Sequence, residues 1–241
     1  MGLGVVTEHR GPEDGGLHAR LLDDLGPALA DGQPAAGTVV RIEDLQARFH
    51  LSRTVVREAV RVLEALGMVT SRRRVGLTVQ PMQRWNVYDP KVIRWRLAGT
   101  GRADQLRSLT ELRAAVEPAA AAGAAENIDP DSAAELVRTA ELMVRTGQAG
   151  DLVAFLALDI AFHRILLTRS GNEMFAALDE VVAAVLTGRT EHQLMPAHPE
   201  PRALRLHTAV AHAVRSGDAT GAAEAMRELT AEVRTGLELG P

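Results

Sequence analysis

Two acid–base side chains stand four residues apart in an apolar stretch of this sequence. Asp159 and His163 lie within LDIAFHRILL, and residues four apart project from the same face of a helix. His207 and Arg113 also share their predicted helix faces with Leu and Val residues. Because burying a polar or charged group without a partner is costly, these four residues predict a polar site inside a helical domain.

Several chemistries remain open for such a site. One carboxylate and two imidazoles suit zinc, nickel or manganese, and three protein ligands leave coordination positions for a small molecule. Open coordination would equally serve a hydrolase or lyase that uses Asp159, His163 and His207, although the sequence has no HExxH, phosphate-binding glycine loop or nucleophile elbow. A metal-free pocket and ordinary core groups are the other interpretations. The remaining histidines of interest are expected in loops or on the surface: His192, His198 and His212.

The elements that position these residues are predicted to be helical. Helix-type periodicity and Pro, Gly and Asp breaks predict six helices, over 104–126, 131–147, 151–169, 172–190, 200–216 and 218–237. They form a helical bundle, residues 104–238, for effector binding and dimerisation. Residues 82–103 form a connector with room for one short helix. The fold class is mainly α.

The N-terminal part predicts a different architecture. Residues 1–15 are polar and aperiodic and are expected to be a disordered arm. Within 16–81 the pattern predicts helices over 17–30 and 42–49, and a longer helix that Ser52 caps and that ends at Gly67. Pro27 is expected to kink the first helix or remove a hydrogen bond from it. A β-hairpin over 68–80 follows, so this part is predicted to be a winged helix-turn-helix.

Charge is distributed unevenly along the 241 residues. The segment 41–84 holds nine Arg and four acidic residues, a net charge of about +5, whereas the whole chain carries −4. This asymmetry is typical of a polyanion-binding segment on an acidic body. The sequence has no Cys, no apolar run long enough for a membrane span and no signal peptide. We therefore expect a cytoplasmic protein.

The arginine spacing indicates how DNA would be read. Arg53, Arg57 and Arg61 recur every four residues along the predicted third helix, and Arg53 and Thr54 fall in its first turn. Arginine is well shaped for guanine edges and phosphates. The other candidate DNA-binding residues precede the second helix or lie on the wing: Arg41, Arg73, Arg74 and Gly76, with Arg72 beside them. An Arg face that binds an acidic protein is the competing interpretation.

The run LQARFHLSRTVVREAVRVLEALGMV with RRRVGLTV resembles the DNA-binding domain of the GntR family. LRAAVEP, LDIAFHRILLTRSGN and HTAVAHAVRSGD resemble the helical FCD ligand domain of its FadR-like branch, and WNVYDPKVIRW is similar to the connector of galactonate operon repressors. The resemblance implies that Arg53 and Arg57 contact the operator and that Gly76 is the wing glycine. Members of this family often have an arginine at the position where this sequence has Glu43, and Arg41 lies nearby.

The resemblance also implies a divalent metal site made of one Asp and three His. Asp159, His163 and His207 match three of these ligands. Leu229 stands at the fourth position, and His198 is the candidate for a replacement ligand. The expected protein is a homodimeric repressor of double-stranded operator DNA. Its expected effector is a small carboxylate such as an aldonate, bound by Asp159, His163 and His207 and clamped in bidentate fashion by Arg113.

Overall fold

A computed structural model describes residues 12–191 and 199–239 and divides the chain into two compact units, one ending at Gly99 and one beginning at Thr100. The first unit combines helices with a small antiparallel sheet of order β1-β3-β2. Its elements are α1 (Pro12–Ala30), β1 (Val39–Val40), α2 (Ile42–Phe49), α3 (Arg53–Ala65), β2 (Val69–Arg72), β3 (Gly76–Val79), a 3-10 turn (Met82–Arg84) and α4 (Pro90–Ala98).

The helix pair α2 and α3 forms as its sequence predicts. His50 ends α2 in the left-handed region, at φ 53°, and the Ser52 side chain accepts a hydrogen bond from the backbone N–H of Val55 at the start of α3. The inward face of α3 is fully apolar and packs into the core of the unit. Its buried residues are Val55, Val56, Ala59, Val60 and Leu63.

The sheet contains one strand that periodicity did not reveal. β2 and β3 form the predicted hairpin, with Val69 opposite Val79, and β1 adds to the free edge of β3. A two-residue strand is too short to show alternation. Gly76 is required where β1 meets β3, because its φ is +119° and a Cβ there would lie 2.7 Å from the carbonyl oxygen of Val40.

Two boundaries differ from the sequence prediction. Helix α1 begins at Pro12, before the expected start at residue 17, and it continues through Pro27; residues 1–11 of the expected arm lie outside the described residues. Helix α4 occupies part of the expected connector, and Asp89 caps it by accepting the N–H of Lys91. Because α4 packs against α1 with Trp95 in the core, this part belongs to the first unit.

The second unit is a helical bundle, which together with the winged helix-turn-helix confirms the predicted fold class. Its helices are α5 (Arg102–Asn127), α6 (Pro130–Ala149), α7 (Leu152–Thr168), α8 (Glu173–Ala176), α9 (Asp179–Glu191), α10 (Pro201–Ser216) and α11 (Ala219–Leu239). The predicted fourth helix is interrupted. Leu178 N–H bonds to the carbonyl of Phe175, so the turn tightens there before α9 begins at Asp179.

The bundle core positions the polar site. Asp129 and Asp151 cap α6 and α7 by accepting backbone N–H bonds, and the main apolar cluster has Phe162 of α7 among its fully buried members. A smaller cluster, built on Leu167 and Val182, joins α5, α7 and α9. Within the described part of the chain, no helix is both long and apolar enough to cross a bilayer.

Candidate nucleic-acid interface and buried ligand site

The outer face of α3 carries exposed arginines. Arg53, Thr54 and Arg57 are exposed on the side opposite the apolar core. Arg61 is also exposed, but its Nη1 is 2.7 Å from Oε1 of Glu58 on the same helix. Since no carboxylate of the described residues lies within ion-pairing distance of Arg53 or Arg57, their guanidinium groups are available for phosphate or base contacts.

The wing presents further positive charge. The turn between β2 and β3 exposes Arg73 and Arg74, and Arg74 has a φ of +67°. The wing is tied to α3, because Oε1 of Glu64 accepts a 2.6 Å hydrogen bond from the backbone N–H of Ser71. Arg41 is exposed immediately before α2 and makes no capping bond. The predicted DNA-binding residues therefore all lie on the surface, with Gly76 shaping the wing.

Three helices of the second unit bring the four predicted pocket residues together. Arg113 lies on α5, Asp159 and His163 lie on α7, and His207 lies on α10. Each retains 6% or less of its exposed area. The apolar stripes on these helices bury the polar groups along with the Leu, Val and Phe residues around them, so the expected convergence is present in the structure.

Asp159 lies between the two imidazoles. Its Oδ1 is 3.3 Å from Nε2 of His163 and 3.2 Å from Nε2 of His207. Burial by itself would raise the pKa of Asp159, but the hydrogen bonds and positive charge of His163 and His207 in their protonated forms outweigh it and hold that pKa well below its ordinary value. Asp159 is therefore an ionised carboxylate in a buried position.

The hydrogen bond at the second ring nitrogen fixes the tautomer of His207. Nδ1 of His207 is 2.8 Å from the backbone carbonyl of Ala203, which can only accept, so Nδ1 carries the proton. In the neutral ring Nε2 then has a lone pair that faces the carboxylate of Asp159. Two acceptors at this distance require a cation between them or a second proton on the ring.

His163 has the same character. Its Nε2 is 3.2 Å from Nη2 of Arg113, a group that can only donate, so in the neutral ring Nε2 is the acceptor. Its Nδ1 approaches Oε2 of Glu117 at 3.3 Å, although without hydrogen-bond alignment. Glu117 therefore faces this ring without a hydrogen bond to it.

The three side chains fit a divalent metal ion. Ligand atoms of Asp159, His163 and His207 all lie within 4.8 Å of one another. Two donor atoms that each stand about 2.1 Å from one ion at a tetrahedral angle are about 3.4 Å apart, close to the separations of both Nε2 atoms from Asp159. Two lone-pair imidazole nitrogens and an ionised carboxylate are suitable donors for zinc, nickel or manganese.

Arg113 is already engaged in the structure. Its Nε and Nη2 contact Oε1 and Oε2 of Glu117 at 2.7 and 3.2 Å, and Nη2 also contacts His163. Burial lowers the pKa of Arg113, but the charge and hydrogen bond of Glu117 more than compensate, so the pKa is raised. The bidentate edge formed by Nε and Nη2 therefore holds Glu117 and is not open to an effector, contrary to the expected clamp.

Two buried charged residues of this site were not singled out from the sequence. Glu117 lies one turn after Arg113, within the LRAAVEP motif. Arg189 near the end of α9 is 8% exposed, and the stripe that buries Val182 and Leu186 includes it at helical spacing. The apolar-stripe signal that identified the other polar residues therefore applies to Arg189 as well.

The fourth ligand position of the expected metal site is apolar. Leu229 is 2% exposed and packs in the main core cluster with Phe162 and Val210. His212 is exposed, as expected, whereas His192 and His198 lie outside the described residues. The described part of the site therefore offers three metal ligands.

Two family models match this chain. The FCD domain covers residues 108–232, and the model described as "Bacterial regulatory proteins, gntR family" covers residues 17–79. The chain belongs to the GntR family, with an FCD domain. Members of this family are transcriptional regulators, so the hydrolase or lyase interpretation is wrong. The chain is 28% identical to the galactonate operon transcriptional repressor of Escherichia coli K12, over 86% of this chain and 90% of that protein.

Other matches agree with this family. A probable D-xylose utilization operon transcriptional repressor of Paenarthrobacter nicotinovorans is 28% identical over 60% of this chain and 55% of its own length. Among solved structures, E. coli McbR/YncC has a TM-score of 0.53 at 20% identity, covering 92% of this chain and 97% of that one. A Streptococcus agalactiae GntR structure has a TM-score of 0.50 at 22% identity, covering 90% and 99%. These structures share the fold.

Proposed function

We propose that this GntR regulator is a repressor that binds operator DNA as a homodimer and releases it when a small carboxylate effector binds to the helical domain. One observation carries the effector proposal: Asp159, His163 and His207 are buried together in a domain that has no enzymatic role. A bound cation or ligand would satisfy such a set. The similarity to repressors of galactonate and D-xylose operons supports repression and a sugar-derived effector.

The DNA contacts are divided between the recognition helix and the wing. Arg53 and Thr54 in the first turn of α3 would read base edges in the major groove, and Arg57 would contact phosphate. The remaining residues would contact the backbone or the adjacent minor groove: Arg41, Arg73 and Arg74, with Gly76 holding the wing against β1. One winged helix buries little DNA, and so two copies on a near-palindromic operator are proposed. Light scattering on the full chain tests the dimer, with a mass near twice 25.8 kDa expected.

Asp159, His163 and His207 would hold the divalent metal. When bound, the ion supplies open coordination positions for hydroxyl or carboxylate oxygens of the effector. The Ala203 carbonyl would keep His207 in the ligating tautomer, and Glu117 would face Nδ1 of His163. Elemental analysis of protein purified without chelator should give about one divalent ion per chain. The metal should be lost in His163→Ala and retained in His212→Ala, an exposed control.

A hydroxylated carboxylate of the aldonate type fits the site best, because hydroxyls suit metal coordination and the acid group suits buried cations. The test is a titration of D-galactonate and other aldonates against protein bound to a fluorescent operator duplex, with and without EDTA. Release by an aldonate, weakened by EDTA, is expected. If no aldonate releases the operator, the effector class is wrong; if release is undiminished in EDTA, the metal is not required.

Arg113 remains a proposed effector-binding residue with a different geometry. Three of its five N–H groups face Glu117 and His163, which leaves the two N–H groups of Nη1 for the effector. Arg113→Ala should therefore weaken operator release without abolishing DNA binding in the absence of effector. A release curve identical to that of the wild type would exclude Arg113 from the pocket chemistry.

A further inference from the structure

Arg189 is a buried cation without a counter-ion among the described residues. Its side chain is 8% exposed, and its Nε has no hydrogen-bond partner. No carboxylate of residues 16–191 or 199–232 lies within ion-pairing distance of it. Elsewhere in this bundle the buried arginine is paired, since Arg113 holds Glu117 at 2.7 Å.

Arg189 follows Leu186 by three residues on α9, and Leu186 belongs to the apolar cluster that packs α9 against α5 and α7, the helices that carry the polar site. Burial and the positive charge of Arg113 lower the pKa of Arg189 to about 10, while Asp159 and Glu117 oppose this effect. Both acids are committed to other groups: Glu117 makes a bidentate pair with Arg113, and Asp159 lies between the two histidines. Neither acid pairs with Arg189, which is surplus in the sense that no ion pair among the described residues holds it.

A surplus buried cation is unfavourable for the fold alone. An unpaired charge in the interior loses its hydration without gaining an ion pair, and the carbonyls at the end of α9 offer only partial compensation. A purely structural role would be served better by an apolar side chain, such as the Val and Leu residues on the same stripe of α9. An anion supplied from outside the protein would remove this imbalance.

We propose that Arg189 is the specificity-determining residue that binds the carboxylate of the effector, leaving the hydroxyl groups to the centre formed by Asp159, His163 and His207. This assignment rests on the proposed function, because it takes the effector to be a hydroxylated acid. Arg113 then keeps only the secondary effector contact through Nη1, while its other N–H groups hold Glu117 and contact His163. It also requires the effector to be an anion, so a neutral alditol of the same length is rejected.

The test compares Arg189→Leu, Arg189→Lys and the wild type with two probes, D-galactonate and the uncharged galactitol. Wild type should release the operator with D-galactonate and not with galactitol. Arg189→Leu should need about tenfold more D-galactonate or should not respond, whereas Arg189→Lys should retain part of the response because it keeps the charge. Arg164→Leu is the control, since Arg164 lies on α7 in a surface pair with Asp179.

Thermal stability without effector separates binding from a structural role. Removing a surplus buried charge should leave the melting temperature of Arg189→Leu equal to or above that of wild type. A fall of several degrees would show that Arg189 is needed by the fold and would overturn the proposal. An unchanged D-galactonate response in Arg189→Leu would overturn it equally.

A second probe distinguishes this proposal from failure of the effector class. If no sugar acid acts on wild type, the class is wrong, but an unpaired buried cation still predicts binding of a small oxyanion. Sodium sulfate should then raise the melting temperature of wild type more than that of Arg189→Leu, relative to sodium chloride at the same ionic strength. Equal shifts in the two proteins would overturn the role of Arg189 itself.

Discussion

Arginines serve the two units of this protein in opposite environments. On α3, Arg53 and Arg57 are exposed and have no ion-pair partner among the described residues, so water hydrates them until a polyanion binds. In the bundle, Arg113 and Arg189 are buried, and within the described part of the chain only Arg113 has a carboxylate partner. Leaving an arginine without an ion-pair partner therefore costs little free energy on the exposed face of α3 and much more in the interior of the bundle.

This contrast separates the two kinds of recognition. Exposed arginines bind phosphate through counter-ion release, so their contribution depends strongly on salt. Buried charges are screened much less and take part in the stability of the fold as well as in ligand binding. Substitutions at the DNA interface should therefore change affinity with little change in stability, whereas substitutions in the bundle should change both.

The largest expected effect is that of Glu117→Ala on folding. Removing this carboxylate leaves Arg113 as a second unpaired buried cation, which should reduce the free energy of unfolding by about 3–5 kcal/mol. The matched control is Glu228→Ala, which breaks an exposed pair with Arg202, each side chain 58% exposed, and should cost at most about 1 kcal/mol. Urea unfolding measures both. Similar values would show that the buried pair is no more important than the surface one.

The next effect is on DNA affinity. Arg53→Ala should cost roughly 1–3 kcal/mol of operator binding and relax specificity at one base pair per half-site. Arg57→Ala should weaken all sequences alike and reduce the slope of log affinity against log salt by about 1. Arg61→Ala is the control, because Glu58 already holds Arg61. Anisotropy titrations at several salt concentrations measure these changes. Effects near zero for both Arg53→Ala and Arg57→Ala would contradict the placement of α3 in the major groove.

Sequence periodicity predicted much of this molecule because burial in a helix depends on which face a residue occupies. The same rule predicted that Arg113, Asp159, His163 and His207 would be buried, and the structure confirms it. Their meeting at one point depends on how α5, α7 and α10 cross. That crossing depends on tertiary packing, so the spacing of residues within each helix does not predict it.

The features that periodicity missed depend on particular tertiary neighbours. β1 exists because β3 offers a free edge, and its two residues carry no pattern of their own. The pairing of Arg113 with Glu117 uses the Nε–Nη2 edge of the guanidinium expected to clamp an effector, and the choice between these partners depends on rotamers. The break between α8 and α9 follows from a local tightening at Leu178.

A smaller effect should appear in the acid stability of the bundle. The pKa of Asp159 is lowered from 3.8 in the folded protein, so its contribution is present at higher pH and is lost as the pH falls below about 4. Over that range wild type should lose up to about 1.4 kcal/mol per pH unit relative to Asp159→Asn. Urea unfolding in EDTA measures the difference without interference from metal release. Asp104 forms an exposed pair with Arg107, so the unfolding free energy of Asp104→Asn should depend on pH as that of wild type does.

The smallest expected effect concerns the position of the wing. Glu64 on α3 accepts the Ser71 N–H at 2.6 Å, but the bond is exposed to water, so its loss should cost less than about 1 kcal/mol of stability. Glu64→Ala should nevertheless reduce operator affinity a few-fold, because Arg73 and Arg74 would be less firmly placed against DNA. Removing a negative charge near DNA would by itself favour binding, and Glu64→Gln separates the two contributions. Gln also lacks the charge but keeps an acceptor oxygen for Ser71, so it should bind DNA better than Ala. If Ala and Gln bind the operator equally, Glu64 does not position the wing.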